Sequence, residues 1–274
     1  MKPNLIIPGA AKSGTSSLHE YLNLHPDIEM SREKEPYYFT LNKRYAEGLT
    51  FYDNLFNNKK ARYWGESSTA YFVDRVALKR IKKELGGVKF IVILRDPVMR
   101  AVSHYLWQVS LFEEFRSFRN AVEYNIRTPV DFRKPGWGGH FKSYYEESLY
   151  GEKLQYLINE FGRKNIYVIT SKELINDANK ALHGCFEYLG LKPITITVDI
   201  KANTTSKIDD RKGRLRSFCA KAIRRGVLDF RLLYLAAKNK VGNVSKEDLI
   251  WLRDILEEDI RLLQKYYPDI DKRW

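Results

Sequence analysis

One segment near the N-terminus carries residues suited to holding an anion. Between an apolar run at 4–8 and a helical pattern that opens near Thr15, the chain places small residues around Lys12, Ser13 and Gly14. At such a junction, free backbone N–H groups and the helix dipole favour a bound phosphate, and small side chains let the backbone close around it. A plain strand-to-helix turn capped by a Ser or Thr side chain is the alternative that the segment leaves open.

This segment does not match the loop that binds ATP or GTP. That loop has the pattern GxxxxGK[ST], in which the lysine directly follows the second glycine. Here Lys12 precedes Gly14 by two residues, and Thr15 follows the glycine. An aspartate for Mg²⁺ directly after a buried strand is not evident either, because Arg95 separates Asp96 from the apolar run before it. The sequence therefore predicts a phosphate loop without a metal site.

A second group of polar residues follows the apolar run at 88–94. Arg95 leaves the end of this predicted strand, and Ser103 lies eight residues further along. Eight residues are about two helical turns, so both side chains can reach one phosphate once strand and helix are packed. Pro97 suits the first turn of the helix, and we assign Asp96 to helix capping. Pairing of Arg95 with Asp96 at the helix start is the competing interpretation.

The two segments, in this order, resemble the sulfotransferase superfamily, specifically carbohydrate sulfotransferases of the heparan sulfate type. The family's K-x-G-T loop binds the 5′-phosphosulfate of 3′-phosphoadenosine 5′-phosphosulfate (PAPS), and it is matched by Lys12, Ser13, Gly14 and Thr15, with Ser16 next in line. Its L-R-D-P-x-x-R-x-x-S-x-Y element binds the 3′-phosphate, and it is matched by Leu94, Arg95, Asp96, Pro97, Arg100, Ser103 and Tyr105. The resemblance implies a PAPS-dependent sulfotransferase in which Lys12 stabilises charge on the transferred group.

The resemblance also implies where the acceptor reacts. The family's acidic motif places a glutamate before an aromatic pair, so Glu35, ahead of Tyr37, is our candidate for the general base. A glutamate in such a charged run is ordinarily solvated. Glu66 lies in a segment that resembles the family's G-E-K-T-P-x-Y-F block, where it either holds a basic group or shares the role of base. Ser67 replaces the lysine of some animal members and Thr69 a common proline, so no second catalytic cation is implied.

Three further features complete the predicted site. Ser148-Leu149-Tyr150 resembles the family's S-L-Y step, which implies that Tyr150 completes the nucleotide site. The basic run Lys212, Gly213 and Arg214 stands in the place of a mobile loop, predicted over 200–216, that closes on the cofactor; a solvated basic turn is equally compatible with it. We predict acceptor contacts from Tyr37 and Trp137, because aromatic rings stack on sugar faces, and from Glu66, because the family's matching block lies near the acceptor. We assign His104 to the helix surface.

The elements that position these residues follow from hydrophobic periodicity. Strand-like runs at 4–8, 63–66, 88–94 and 165–170 alternate with helical patterns that begin near residues 15, 73, 98, 152 and 178. This alternation predicts an α/β fold with a P-loop-like parallel β-sheet and helices on both faces. A leucine stripe over 245–267 adds a C-terminal helical segment. We expect one sulfotransferase domain over 1–274, with a surface excursion at 112–145 on the acceptor side.

The charge of the chain points to an anionic partner. Lysine and arginine number 47 against 34 aspartates and glutamates, which leaves a formal charge of +13. A polyphosphorylated cofactor, an acidic polysaccharide, acidic lipid and nucleic acid would all satisfy this charge. The resemblance implies a glycan or small hydroxylated acceptor, and because the chain has no recognised nucleic-acid motif we predict that nucleic acid is not a partner. An atypical P-loop kinase or NTPase and a basic nucleic-acid-binding protein are the alternatives.

The cysteines and the lengths of the apolar runs indicate where in the cell we expect the protein. The two cysteines, Cys185 and Cys219, lack metal-ligand spacing, so reduced thiols are the default. The run at 5–8 is too short for a signal peptide, and no apolar run approaches the roughly 20 residues of a membrane helix. We therefore expect a cytoplasmic protein without stable membrane insertion, of the kind found in bacteria.

Overall fold

Five parallel strands form the sheet that organises the chain. The computed structural model describes residues 2–57, 60–111, 113–131, 142–197 and 241–274. The strands are β1 (Leu5–Ile7), β2 (Ile28–Met30), β3 (Tyr63–Ser67), β4 (Lys89–Leu94) and β5 (Ile166–Thr170). They lie in the order β2-β3-β1-β4-β5, and all four pairings are parallel.

The sequence of β4 shows why this sheet is covered on both sides. Phe90 and Val92 point into one hydrophobic cluster, and Ile91 and Ile93 point into another on the opposite face. Because side chains alternate along a strand and both faces are buried, the strand is apolar at nearly every position.

Helices follow the strands on both faces. They are α1 (Thr15–Leu22), α2 (Asn42–Ala46), α3 (Arg75–Leu85), α4 (Pro97–Ser110), α5 (Phe118–Arg127), α6 (Tyr150–Phe161), α7 (Ser171–Asn176), α8 (Ala178–Tyr188) and α9 (Lys246–Tyr266). Short 3₁₀ turns cover Leu49–Asn54, Thr69–Phe72, Glu146–Ser148, Arg163–Asn165 and Ile270–Arg273. Buried residues of α1 and α8 belong to one face of the sheet, and those of α3 and α6 to the other. The α/β fold predicted from the sequence, with its C-terminal helix, is confirmed.

The topology leaves a crevice beside β1. This strand lies between β3 and β4, and the helices that follow β1 and β3 pack on opposite faces of the sheet. Where neighbouring parallel strands send their connections to opposite sides, a crevice opens at their carboxyl ends, and α/β proteins bind ligands there. The segment predicted to bind an anion, which follows β1, and the segment after β3 both lie at this edge of the sheet.

The prediction of a surface excursion over 112–145 is wrong in its first half. Residues 118–127 form α5, and the Ser117 hydroxyl accepts a hydrogen bond from Asn120 N–H (3.4 Å) at its start. Phe118 and Val122 are buried in a cluster with residues of α4 and α9. Helical spacing of these apolar residues was the signal, and it was obscured by the surrounding arginines. Residues 132–141 lie outside the described part of the chain.

Within those described ranges, no helix is both long enough and apolar enough to cross a membrane.

Candidate active site

The loop between β1 and α1, residues 9–15, is fixed by its neighbours; we call it the anion loop. Ala10 N–H donates to Ile93 O (2.8 Å), and Gly9 O accepts from Ile93 N–H (3.0 Å). A Cβ at Gly9 would lie 2.8 Å from Phe72 Cβ, so only glycine fits there. Gly14, with φ of 101°, precedes α1, and none of the described side chains caps this helix. Its first N–H groups therefore remain available to an anion.

Lys12 stands in this loop with a left-handed backbone, at φ of 67°. Its Nζ lies 4.7 Å from the ring centroid of Trp107 on α4, which is a cation–π contact. Burial, followed by the neighbouring charges of Arg95, Lys34 and Arg100, lowers the pKa of Lys12 to about 8. An ammonium group under this repulsion is one that an anionic ligand would stabilise strongly.

Arg95 and Ser103 lie at the end of β4 and on α4, as the second sequence segment requires. Ser103 is 4% exposed, and burial lowers the pKa of Arg95. Asp96 Oδ1 accepts from Met99 N–H (2.8 Å), which confirms its assignment as the helix cap. The other oxygen of Asp96 pairs with Arg253 of α9 (2.7 Å). An anion beside Arg95 would offset the cost of burying this guanidinium.

Two buried hydroxyl groups, Ser13 Oγ and Tyr150 Oη, lie near each other in this region. Each residue is 1% exposed, and neither hydroxyl makes a hydrogen bond of normal geometry to a described residue. Burial raises the pKa of Tyr150, and weak contacts of its hydroxyl with Ser13 and with the Arg95 backbone oppose that change. Buried polar atoms that are held this loosely mark places where a polar ligand fits. Tyr150 is held at the start of α6 because Asp259 of α9 accepts the N–H groups of Gly151 (2.8 Å) and Glu152 (2.9 Å).

Glu35 is fixed against the end of β3. Its backbone has φ of 59°, and its N–H donates to Ser67 O (2.9 Å). Thr69 donates twice to Glu35 Oε2, from its N–H (2.8 Å) and from its hydroxyl (3.2 Å). Lys34 Nζ lies 2.7 Å from Oε1, and 22% of the Glu35 side chain is exposed. Thr69 and Lys34 thus orient the carboxylate on a side chain that is partly exposed, and a general base must be oriented toward the proton that it takes.

Glu66 lies beneath this segment and has no exposed surface. The hydroxyls of Tyr52 (2.6 Å) and Tyr71 (3.0 Å) donate to Oε1, and Ser68 Oγ donates to Oε2 (2.7 Å). Burial raises the pKa of Glu66 to about 7. Ser68 Oγ also accepts from Tyr37 N–H (3.0 Å), so Glu66 supports, through Ser68, the segment that carries Glu35 and Tyr37. Direct substrate contact by Glu66 stays a prediction, and this structure gives the side chain no surface for it.

Two histidines are buried beside the crevice. The assignment of His104 to the helix surface is wrong, because it is 1% exposed and Nδ1 lies 3.2 Å from Arg100 Nη1. Tyr144 packs against this side of α4, and the centroid of its ring lies 5.4 Å from the centroid of the His104 ring. His19 Nδ1 lies 2.8 Å from Ser67 Oγ. Ser67 stands where some family members carry a lysine, so in this chain that position holds a serine that is hydrogen-bonded to a histidine. Burial lowers the pKa of His19 to about 4, so its ring is neutral.

Glu147 touches the anion loop, and sequence reasoning missed it. Glu147 is fully buried, and its Oε2 accepts from Ala11 N–H (3.1 Å). The only signal was its place directly before Ser148-Leu149-Tyr150, where the pair Glu146-Glu147 resembles an ordinary solvated run.

Several predicted residues lie outside the described part of the chain. They are Trp137, Lys212, Gly213 and Arg214, together with the segment 200–216. Their roles stay predictions. In the described ranges, no group of three or more His, Cys, Asp or Glu side chains is arranged to hold a metal ion.

Known proteins resemble this chain over most of its length. The family model described as a sulfotransferase domain matches residues 2–217. Mouse heparan sulfate glucosamine 3-O-sulfotransferase 3B1 is 28% identical over 265 residues, which are 91% of this chain and 65% of that protein. Human heparan sulfate glucosamine 3-O-sulfotransferase 6 is 29% identical over 204 residues, 74% of this chain and 56% of that protein. The chain thus spans less than two thirds of these relatives.

Solved structures share the fold. A sulfotransferase from Alicyclobacillus acidocaldarius is 26% identical, with a TM-score of 0.61 over 85% of this chain and 99% of that one. A mouse sulfotransferase complexed with PAP is 14% identical, with a TM-score of 0.51 over 98% of this chain and 90% of that one, and it supports the fold alone. Since the family model covers both strand-end segments and the loops that follow them, this chain belongs to the sulfotransferase family.

Proposed function

We propose that this chain transfers a sulfuryl group from PAPS to a hydroxyl or amine of an acceptor, in line and without a metal ion. The observation that carries the proposal is the convergence of the anion loop with Arg95 and Tyr150 at the carboxyl edge of one parallel sheet. When bound, PAPS supplies the sulfuryl group and leaves as adenosine 3′,5′-bisphosphate. Lys12 stabilises the charge that develops on the transferred group and the leaving oxygen.

The polar groups of the site suit such a donor. The start of α1 offers N–H groups to the 5′-phosphosulfate, while Ser13 Oγ and Tyr150 Oη are buried hydroxyls with only weak contacts to protein, so that each can bond a ligand. Arg95 and Ser103 are proposed to hold the 3′-phosphate, because a guanidinium forms strong charge-assisted bonds to phosphate. Lys212, Gly213 and Arg214 are proposed to close over the donor as the family's late loop does.

Glu35 is proposed as the general base that takes the proton of the acceptor. Thr69 and Lys34 hold the carboxylate in one orientation, and 22% of the Glu35 side chain is exposed. A base can act only when it is within hydrogen-bond reach of the proton it removes, so this orientation matters as much as basicity. Tyr37, two residues further on, is proposed to contact the acceptor together with Trp137.

A carbohydrate is the proposed acceptor. Two of the relatives are named as 3-O-sulfotransferases of heparan sulfate glucosamine. The formal charge of +13 would attract an acidic sugar polymer and raise its local concentration. A cytoplasmic location and a bacterial source stay predictions alongside this proposal.

Adenosine 3′,5′-bisphosphate is expected to bind the chain in the micromolar range by calorimetry, and EDTA should leave its affinity unchanged. Replacing Arg95 by alanine should weaken binding at least tenfold, because a hydrogen bond to a charged group contributes about 1.5–3 kcal/mol. Arg261→Ala is the matched control, since Arg261 lies exposed on α9 and pairs with Glu257. A chain that ignores the bisphosphate and binds ATP with Mg²⁺ would instead be the atypical kinase.

Replacing Thr69 by valine is expected to lower kcat about five- to tenfold while leaving the KM for PAPS unchanged. The variant keeps the N–H donor to Glu35 and a side chain of the same shape. It loses the hydroxyl bond of 3.2 Å to Glu35, worth about 1 kcal/mol, and the contact of that hydroxyl with the Tyr37 side chain. Thr50→Val, which removes a surface hydroxyl bonded to Glu47 O, is the control. Equal turnover in both variants would show that the Thr69 hydroxyl does not hold the base.

A further inference from the structure

A buried ion pair lies behind the anion loop. Arg100 Nη1 and Glu147 Oε2 are 3.6 Å apart, and neither side chain has any exposed surface. Removing two charges from water costs several kcal/mol for each, which their attraction offsets only when further hydrogen bonds complete the site. The contacts of the pair therefore indicate what it is for.

Arg100 joins α4 to the segment that leads into α6. Its Nε donates to Ser148 Oγ (2.9 Å), and its Nη2 donates to Ser143 O (3.0 Å) and to Tyr144 O. Its Nη1 lies 3.2 Å from His104 Nδ1. All three guanidinium nitrogens are thus in contact with protein atoms, so Arg100 is not available to a ligand as Arg95 is.

Glu147 joins this buried unit to the anion loop. Its Oε2 accepts from Ala11 N–H (3.1 Å), and its own N–H donates to Ser143 Oγ (3.3 Å). Its Oε1 is buried without a partner among the described residues. Burial raises the pKa of Glu147 to about 7, while Arg100 opposes that change. Ala11 directly precedes Lys12, so the carboxylate holds the backbone next to the proposed catalytic cation.

A carboxylate is an unexpected neighbour for a loop that receives an anion. Alone, Glu147 would repel the 5′-phosphosulfate and its leaving group. Arg100 neutralises it at short range, so the pair can hold Ala11 N–H without adding net negative charge to the site. The same guanidinium holds Ser148, two residues before Tyr150. One buried pair therefore connects the anion loop, α4 and the Ser148–Tyr150 step.

We propose that Glu147, neutralised by Arg100, is a positioning residue that holds the anion loop in register with α4 and the Ser148–Tyr150 step, so that the donor site is formed before PAPS arrives. This inference rests on the proposed function. It predicts that removing the acceptor at position 147 weakens donor binding even in a folded protein, because the loop must then be ordered by the ligand.

Three variants test it, with thermal unfolding to confirm that each is folded. Glu147→Gln keeps a carbonyl that accepts from Ala11 N–H and should bind adenosine 3′,5′-bisphosphate within threefold of wild type. Glu147→Leu removes the acceptor and should bind at least tenfold more weakly. The double variant Arg100→Met with Glu147→Leu replaces the pair by apolar groups, a change that often preserves stability, and it should show the same weak binding. Glu146→Gln, the neighbouring carboxylate, should bind like wild type.

Calorimetry and steady-state kinetics separate the outcomes. In Glu147→Leu the KM for PAPS should rise at least tenfold while the KM for the acceptor stays within threefold, a split that general destabilisation would not produce. Rescue by glutamine together with weak binding by the folded double variant supports the proposal. A folded double variant that binds like wild type overturns it, as does equal binding by the Gln and Leu variants. If wild type itself binds no bisphosphate, the proposed function fails instead.

Discussion

Replacing Lys12 by methionine is expected to lower kcat about 100- to 1,000-fold, the usual cost of removing one preorganised group that stabilises developing charge. Methionine is unbranched like lysine and would share the same left-handed backbone at φ of 67°, so the variant removes the charge without a new difference in strain. Single-turnover rates with PAPS measure the loss. Affinity for adenosine 3′,5′-bisphosphate, which lacks the sulfuryl group, should change less than tenfold. Turnover within tenfold of wild type would contradict the role given to Lys12.

The charge of Lys12 should also make kcat/KM for PAPS depend on pH. The pKa of Lys12 is lowered to about 8 in the donor-free protein, and the amine is charged only below that value. Because kcat/KM reports the free enzyme, kcat/KM for PAPS should fall as the pH rises through about 8. Lys12→Arg, whose guanidinium stays charged, should abolish this fall even if its absolute rate is lower. A wild-type profile that stays flat well above pH 8 would show that the charge of Lys12 does not limit donor capture.

The sheet could be predicted where its strands carry their own signal. β4 is a continuous apolar run because both of its faces are buried, and its predicted start differs from the observed one by a single residue. β2 was missed, since it has only three residues and Glu29 lies in its middle. Its position depends on pairing with β3, from Ile28 beside Tyr63 to Met30 beside Gly65, and such pairing is a long-range property.

Some residues of the site could likewise be predicted from local sequence, and others could not. Lys12 and Arg95 belong to contiguous segments whose residue types indicate anion binding, so they could be predicted before the fold was known. The burial of Glu66 depends on Tyr52 and Tyr71, which fold around it from two different 3₁₀ turns. Glu147 reaches Ala11 from 136 residues away. Contacts of this kind arise only from the packing of distant segments, and no local pattern marks them.

Replacing Glu35 by glutamine is expected to lower kcat by about 100- to 10,000-fold, the range in which general base catalysis contributes. Glutamine keeps the size of the side chain and an oxygen that accepts from Thr69, but it cannot take a proton. Donor binding should therefore be unchanged, so affinity for adenosine 3′,5′-bisphosphate within threefold of wild type separates lost chemistry from lost structure. Glu33→Gln is the matched control, because Glu33 lies in the same charged run and pairs with Arg44.

The two outcomes for Glu35 bear on different halves of the proposed reaction. A large loss of kcat with intact bisphosphate binding assigns acceptor activation to the segment held by Thr69. If Glu35→Gln turns over like Glu33→Gln, the base is another group or none. The donor site would stand in that case, because Lys12 and Arg95 lie on the connections after β1 and β4, whereas Glu35 lies on the connection between β2 and β3.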